Sequence, residues 1–250
     1  MSRQPREASK MGLYHVMVRG AGRQILFEDE NDYKRYIVKV TETKNAMDAE
    51  LIAYCLMNNH VHLLIKTDDV KTLSSIMRKI GTSYANYYNK KYDHAGSVFQ
   101  GRYHSEPIND EGYLLTCVRY IHNNPAKANL GSREEYPWSS YQDYIMSGGI
   151  ADTELIYSII NGRKQFEAFS KEHDKSEKKV FDIDDTITIR EGNEILHDFL
   201  DNTFEIGTIV KKLKPGERNR IIMALKGAGL SNRQIELITG ISREIVKRAK

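Results

Sequence analysis

Two histidines separated by one residue, His60 and His62, lie in an apolar stretch that reads as a β-strand from His60 to Lys66. Side chains alternate along a strand, so both imidazoles point to one face, with Cα atoms roughly 6.6 Å apart at ~3.3 Å per residue. That separation suits two ligands of one metal ion. It equally suits two histidines on a solvent-facing side, and the pair alone does not choose. A second grouping is Tyr120 with Asn124, four residues apart on one face of a helix, beside Tyr113 and Cys117. A phenol next to a carboxamide offers a nucleophile beside an oxygen donor for a hard cation. The chain has 15 tyrosines, and Tyr54/Asn58 and Tyr157/Asn161 repeat the spacing, so spacing does not single out one pair.

The elements that must hold these groups follow from periodicity. Leu13 to Arg19 alternates, with Tyr14, Val16 and Val18 on one face and His15, Met17 and Arg19 on the other. Gly20 and Gly22 break the pattern and leave Arg19 and Arg23 around a loop. A helix is predicted from Asp29, with Tyr33, Tyr36, Ile37 and Val40 as its stripe. Glu50 to Met57 reads as a buried strand, Asn58-Asn59 as a turn and His60 to Lys66 as the hairpin partner. Leu73, Ile76, Met77, Ile80, Tyr84, Tyr87 and Tyr88 mark a second helix, and Ser97 to Ile108 a further strand, irregular at Gly101. Asp110 caps a third helix whose end Pro125 limits. The order strand, helix, strand, strand, helix, strand is the split βαβ arrangement, an α+β fold with helices on one face of an antiparallel sheet. The other face or edge is left for a site or another helix.

Charge divides the chain. Of its 250 residues, 1–150 carry a net +2, 151–205 carry −7 (7 bases, 14 acids) and 206–250 carry +8 (11 bases, 3 acids). A basic block suggests a polyanionic partner, while an acidic run is first of all a solvated face. No apolar run approaches the ~20 residues of a membrane span, and Met1 to Lys10 is polar, so a cytoplasmic protein with no membrane partner is expected. Cys55 and Cys117 form no CxxC pair and no disulfide framework, which fits a reducing compartment. Three regions are expected: 1–146, an acidic, mostly helical connector over 147–205 beginning at the glycines after Ser147, and a basic module over 206–250. In the last, Ser231 and Ser242 are positioned as caps and Gly240 as a turn. Ile235, Ile238, Ile241, Ile245 and Val246 would form a small core, with Arg218 to Lys226 as a supporting helix.

Several ordered stretches coincide with one family. Cys55 to Leu64 (CLMNNHVHLL) resembles the His-hydrophobic-His motif of the single-tyrosine HUH transposases. Val98 to Ser105 (VFQGRYHS), Tyr120 to Ala126 (YIHNNPA) and Tyr136 to Tyr144 (YPWSSYQDY) resemble that family's later motifs, in order. The opening, Tyr14 to Phe27 (YHVMVRGAGRQILF), resembles the REP-associated tyrosine transposase branch. The resemblance covers about residues 12–146. It implies a ferredoxin-like HUH nuclease core with Tyr120 as catalytic nucleophile. His60, His62 and Asn124 would hold a divalent metal, Mg²⁺ with Mn²⁺ able to substitute. The implied activity is cleavage and rejoining of single-stranded or hairpin DNA through a 5′-phosphotyrosine, by a monomer or homodimer. Motif position further suggests Arg19, Arg23, Arg102 and His104 as DNA contacts. The C-terminal pattern resembles bacterial helix-turn-helix modules, though Glu236 stands where a small residue is usual. Arg243 and Lys247 would then enter a duplex groove. The competing readings are a non-catalytic DNA-binding regulator on the same fold and a replication-initiator-like nickase, which lacks support from any helicase motif.

Overall fold

Strands β1 (Leu13–Arg19), β2 (Glu50–Met57), β3 (His60–Lys66) and β4 (His104–Ile108) form one antiparallel sheet in the order β2-β3-β1-β4. The computed structural model describes residues 6–146, 148–172, 180, 213–227, 235–236 and 239–249, without the side chains of Arg243 and Lys247. Two compact units are formed, Met1–Val180 and Phe181–Lys250.

In the first unit, helix α1 (Glu30–Ala46) returns the chain so that β2 lies two places from β1, with β3 between them. Asp29 opens α1 with a capping box, its carboxylate accepting from Asn31 and Asp32 backbone N–H while that of Asp32 accepts in return. Helix α2 (Val70–Lys91) packs beside α1, and the buried Asp32 ties them together by accepting from Lys91 Nζ at 2.7 Å and Tyr92 Oη at 2.6 Å. These two helices cover the sheet face formed by Tyr14, Val16, Val18, Leu63 and Ile65, with Tyr36, Ile76, Ile80 and Tyr84 completing the core.

The opposite face is covered too. Helix α3 (Glu111–Lys127), capped by Asp110 Oδ1 on Tyr113 N at 2.7 Å, packs Leu114, Cys117, Val118 and Ile121 onto Leu13, Cys55, Leu64 and Ile108. The face left for a site or another helix is thus taken by α3: the sheet lies between α1/α2 and α3. Pro125 sits inside α3, which runs two residues beyond it; its missing N–H forfeits one bond in the final turn without ending the helix. The fourth strand is shorter than the sequence suggests. Residues 97–103 form a loop touching the sheet through a bridge between Gly20 and Phe99, because Gly101 takes φ +69°.

The edge strand β2 is closed by residues 136–152. Leu56 N donates to Trp138 O at 2.9 Å, Ser140 N to Tyr54 O at 3.0 Å, and Asp152 accepts from Leu51 N at 2.7 Å. This occupies hydrogen-bonding groups that would otherwise template aggregation. Gly148 and Gly149 form a turn within this unit. A Cβ on Gly149 would stand 1.9 Å from the Asp143 carboxyl carbon, and that carboxylate accepts from Ile150 and Ala151 N at 3.0 Å. Short helices α4 (Tyr141–Ile145), α5 (Glu154–Ile159) and α6 (Phe166–Lys171) follow, placing Ile156 and Phe166 in the α3-side core. The beginning of the acidic segment therefore packs on this unit; residues 173–179 and 181–205 of it lie outside the described residues.

In the second unit, helix α7 (Pro215–Gly227) buries Ile221, Ile222 and Leu225, and α8 (Arg243–Arg248) buries Val246. Gly240 takes φ +65°, its N–H bonding to Glu236 O at 2.8 Å, which is the expected turn. Ser242 occupies the cap position of α8 without a side-chain cap hydrogen bond. Ile245 is 38% exposed rather than in the core, because its neighbour Val246, about 100° further round the helix, takes the inward position. Ser231 and Ile238 lie outside the described residues, as do the side chains of Arg243 and Lys247. Among the described residues, no helix is long and apolar enough to cross a membrane.

Candidate active site

Register brings the histidines together. In the β1/β3 pairing Arg19 lies opposite His60 and Met17 opposite His62, while His104 of β4 lies opposite Met17 from the other side. Arg19, His60, His62 and His104 thereby belong to the face that α3 covers. His60 is 4% exposed and His62 0%, so neither stands on a solvent-facing side. Their rings are 5.0 Å apart, centroid to centroid, at 84°.

The helix delivers the phenol. The Tyr120 ring lies 5.6 Å from that of His62 and 6.0 Å from that of His15, edge-on to both. One turn on, Asn124 is buried and its Nδ2 donates to Tyr120 O at 3.2 Å. With the amide nitrogen committed to the helix, the oxygen is the atom that Asn124 can offer to a cation.

Hydrogen bonds orient both imidazoles. His60 Nδ1 lies 2.7 Å from Asn59 Oδ1; an amide oxygen only accepts, so the proton sits on Nδ1 and the lone pair of the neutral ring on Nε2. His62 Nδ1 lies 3.0 Å from His15 Nε2, and the two rings stack 5.2 Å apart at 18°. His62 Nε2 is buried and has no hydrogen-bond partner among the described residues. Buried polar atoms are nearly always paired, so such an orphan points to a missing ligand. Burial first, then the neighbouring His60 and His15, and Lys127 and Arg19 beyond them, hold the His62 pKa well below its ordinary value. A neutral imidazole with an outward lone pair is the form that binds a metal. Among the described residues no three His, Cys, Asp or Glu side chains form a metal-binding group. A cation here would thus take two imidazoles and an amide oxygen, a set that suits a borderline or hard divalent ion.

Two participants stand outside the site residues expected from the sequence. His15 is fully buried and reaches His62 across the strands; the alternation of β1 had already put it on the right face. Lys127, from the last turn of α3, holds its ammonium 4.1 Å from the Tyr120 ring centroid. It is seven residues from Tyr120, two helical turns, and could have been found on that count.

The remaining candidates separate. Arg19 is 6% exposed and adjoins the imidazoles, whereas His104 is exposed on the same face. Arg23 follows in a turn (Ala21–Arg23) at φ +66°, and Arg102 is exposed in the 97–103 loop. His122 has a structural place: its Nε2 lies 2.7 Å from Ser140 Oγ, its ring packs among Tyr141, Tyr144 and Phe166, and burial lowers its pKa to about 3.

Comparisons with known proteins bear on this arrangement. None of the curated proteins matches the chain. A REP-associated tyrosine transposase solved with a bound REP hairpin is similar in fold, with a TM-score of 0.50 at 19% identity over 61% of this chain and 94% of that one. A candidate transposase from Deinococcus radiodurans R1 reaches a TM-score of 0.35 at 16% identity, over 49% of this chain and 95% of that one, too weak a likeness to carry an argument. The family model described as IS200-like transposase matches residues 9–124, which span the sheet, α1, α2 and α3 as far as Asn124. Over those residues the chain is similar to the IS200-like transposase family.

Proposed function

We propose that this protein cuts and rejoins single-stranded or hairpin DNA through Tyr120, with a divalent cation held by His60, His62 and Asn124. The observation that carries the reading is the buried, unpartnered His62 Nε2 on a ring 5.6 Å from the phenol. Mg²⁺ is the expected ion on abundance, and Mn²⁺ the expected substitute because imidazole favours borderline metals. When bound, the cation supplies charge neutralisation at a non-bridging oxygen of the scissile phosphate.

The protein's own groups do the rest. Tyr120 Oη bonds to phosphorus in line as the P–O3′ bond breaks; the phenol gives up one proton and the departing 3′ oxygen gains one. The products are a 5′-phosphotyrosine and a free 3′-OH, and attack by a 3′-OH in reverse rejoins a strand without consuming water. His15 holds His62 in the tautomer that faces the site. Lys127, exposed on a flexible stem, draws the DNA phosphate toward the phenol. Arg19, Arg23, Arg102 and His104 serve as DNA contacts of the catalytic unit.

Asn at position 124 and the opening stretch Tyr14 to Phe27 support the REP-associated branch, for which the solved relative's REP hairpin indicates the class of substrate. The +8 block supports duplex binding by a helix-turn-helix around α8, with Arg243 and Lys247 as its groove contacts. Titration with Mn²⁺, followed by calorimetry and electron paramagnetic resonance, tests the metal assignment. One ion per chain with imidazole nitrogen coupling, lost in His60→Ala and His62→Ala, is expected. No binding by the wild type would end it.

A further inference from the structure

Across the sheet from the imidazoles, a cavity of about 350 Å³ lies between α2 and the 97–103 loop. That volume falls within the roughly 300–1,000 Å³ of small-ligand sites. Its walls are apolar and aromatic: Tyr36, Met77, Phe99 and Tyr103. Tyr103 is held in place, with the Arg6 guanidinium 3.7 Å from its ring centroid and Ser74 Oγ 3.0 Å from its hydroxyl. Arg6, Arg78 and Arg102 all line the cavity, and the last two are exposed. The Tyr36 hydroxyl is buried and has no hydrogen-bond partner among the described residues.

Flat apolar walls beneath guanidinium groups fit a planar heteroaromatic ring carried on a phosphate backbone. Paired bases in a duplex have their faces stacked away, so only an unpaired base fits. Position adds to this. Val18 lines the cavity, while the next residue, Arg19, lies opposite His60 on the other face. Gln100 N to Arg19 O at 2.8 Å and Ala21 N to Val98 O at 2.9 Å bind the loop to the same strand end.

We propose that this cavity takes one unpaired nucleobase of a single-stranded DNA, its phosphates on Arg78 and Arg102, and thereby fixes where the strand passes Tyr120. The proposal rests on the strand-transfer reading for its substrate, but its test needs binding alone. Gly81 of α2 lines the cavity, and a Cβ there meets only Phe99 Cε2, at 3.9 Å. Gly81→Leu therefore starts from an uncrowded Cβ, at a helical position where glycine is the poorer choice, and its larger side chain is meant to fill the space.

Full-length Tyr120→Phe is titrated, by fluorescence anisotropy, with oligothymidylate and with an abasic backbone of equal length and charge. A preference for the base-bearing strand of about tenfold is expected, as for one stacked base. The double variant with Gly81→Leu should bind both strands equally. An absent preference, or one that survives the plug, overturns the proposal. If Gly81→Leu misfolds, photocrosslinking of the unplugged chain with 5-iodouracil DNA decides: adducts on Phe99 or Tyr103 support the site, and adducts only elsewhere refute it. A failed cavity leaves covalent adduct formation at Tyr120 untouched, so the two readings fall separately.

Discussion

The two faces of the sheet use the same alternating strands to different ends. On the α1/α2 face, Tyr14, Val16, Val18, Leu63 and Ile65 meet apolar and aromatic side chains throughout. On the α3 face, Leu13, Cys55, Leu64 and Ile108 do likewise, but the row then passes to His15, His62, His60 and Arg19, all buried. Burying imidazoles and a guanidinium costs free energy that apolar residues would not. A buried polar cluster lacking one hydrogen-bond partner is the mark of a face built for a ligand rather than for cohesion.

Adjacent residues on β3 offer the sharpest way to break that contrast. His62→Ala should abolish Mn²⁺ binding, at least about a hundredfold, with the melting temperature of the unit unchanged or raised. Leu63→Ala, one residue on and facing α1/α2, should cost about 2–5 kcal/mol of stability while Mn²⁺ binding persists at temperatures where the unit stays folded. If the two variants melt alike and the wild type takes up no metal, both faces are merely core. Next in size is His15→Leu, which keeps bulk but removes the bond to His62 Nδ1. Mn²⁺ affinity should fall about 10–100-fold with the fold retained; an unchanged affinity would reduce His15 to packing.

Protonation sharpens the comparison from another side. His122 is buried neutral, with a pKa of about 3 against an ordinary 6.5. The unfolded chain therefore binds the extra proton first, and stability is lost as pH falls below 6.5 toward 3. At pH 5 the loss from this group is about 2 kcal/mol. A melting curve of His122→Leu should show a shallower decline between pH 7 and 5 than the wild type; an equal slope would contradict the burial argument. The smallest effect is expected of Lys127→Ala. Affinity for single-stranded DNA should drop a few-fold and the salt dependence of binding by about 0.7 in slope, the share of one phosphate.

Much of this was legible because local rules and tertiary structure agree. Alternation placed His15, Met17 and Arg19 on one face of β1, and Asp29 and Asp110 sit at the starts of α1 and α3. The pairing of Tyr120 with His62 was legible only through the resemblance of ordered motifs, since Tyr-x-x-x-Asn occurs elsewhere in the chain. Other features depended on contacts far apart in sequence. That the stretch after α3 closes the edge of β2 follows from pairings about 80 to 100 residues apart, such as Tyr136 Oη with Leu56 O and Asp152 with Leu51. No period or cap encodes those. The 97–103 stretch failed as a strand for a local reason, the left-handed backbone of Gly101, whose consequence for the loop only the fold reveals.

The covalent link itself is the most direct test. Wild-type protein and Tyr120→Phe are incubated with a single-stranded DNA library containing hairpins and Mn²⁺ or Mg²⁺, denatured, and searched by mass spectrometry for DNA-linked peptides. The account predicts a 5′-phosphotyrosine on Tyr120 in the wild type, none in the variant, and near-equal DNA binding by both. An adduct on another residue, or one that persists in Tyr120→Phe, would contradict it.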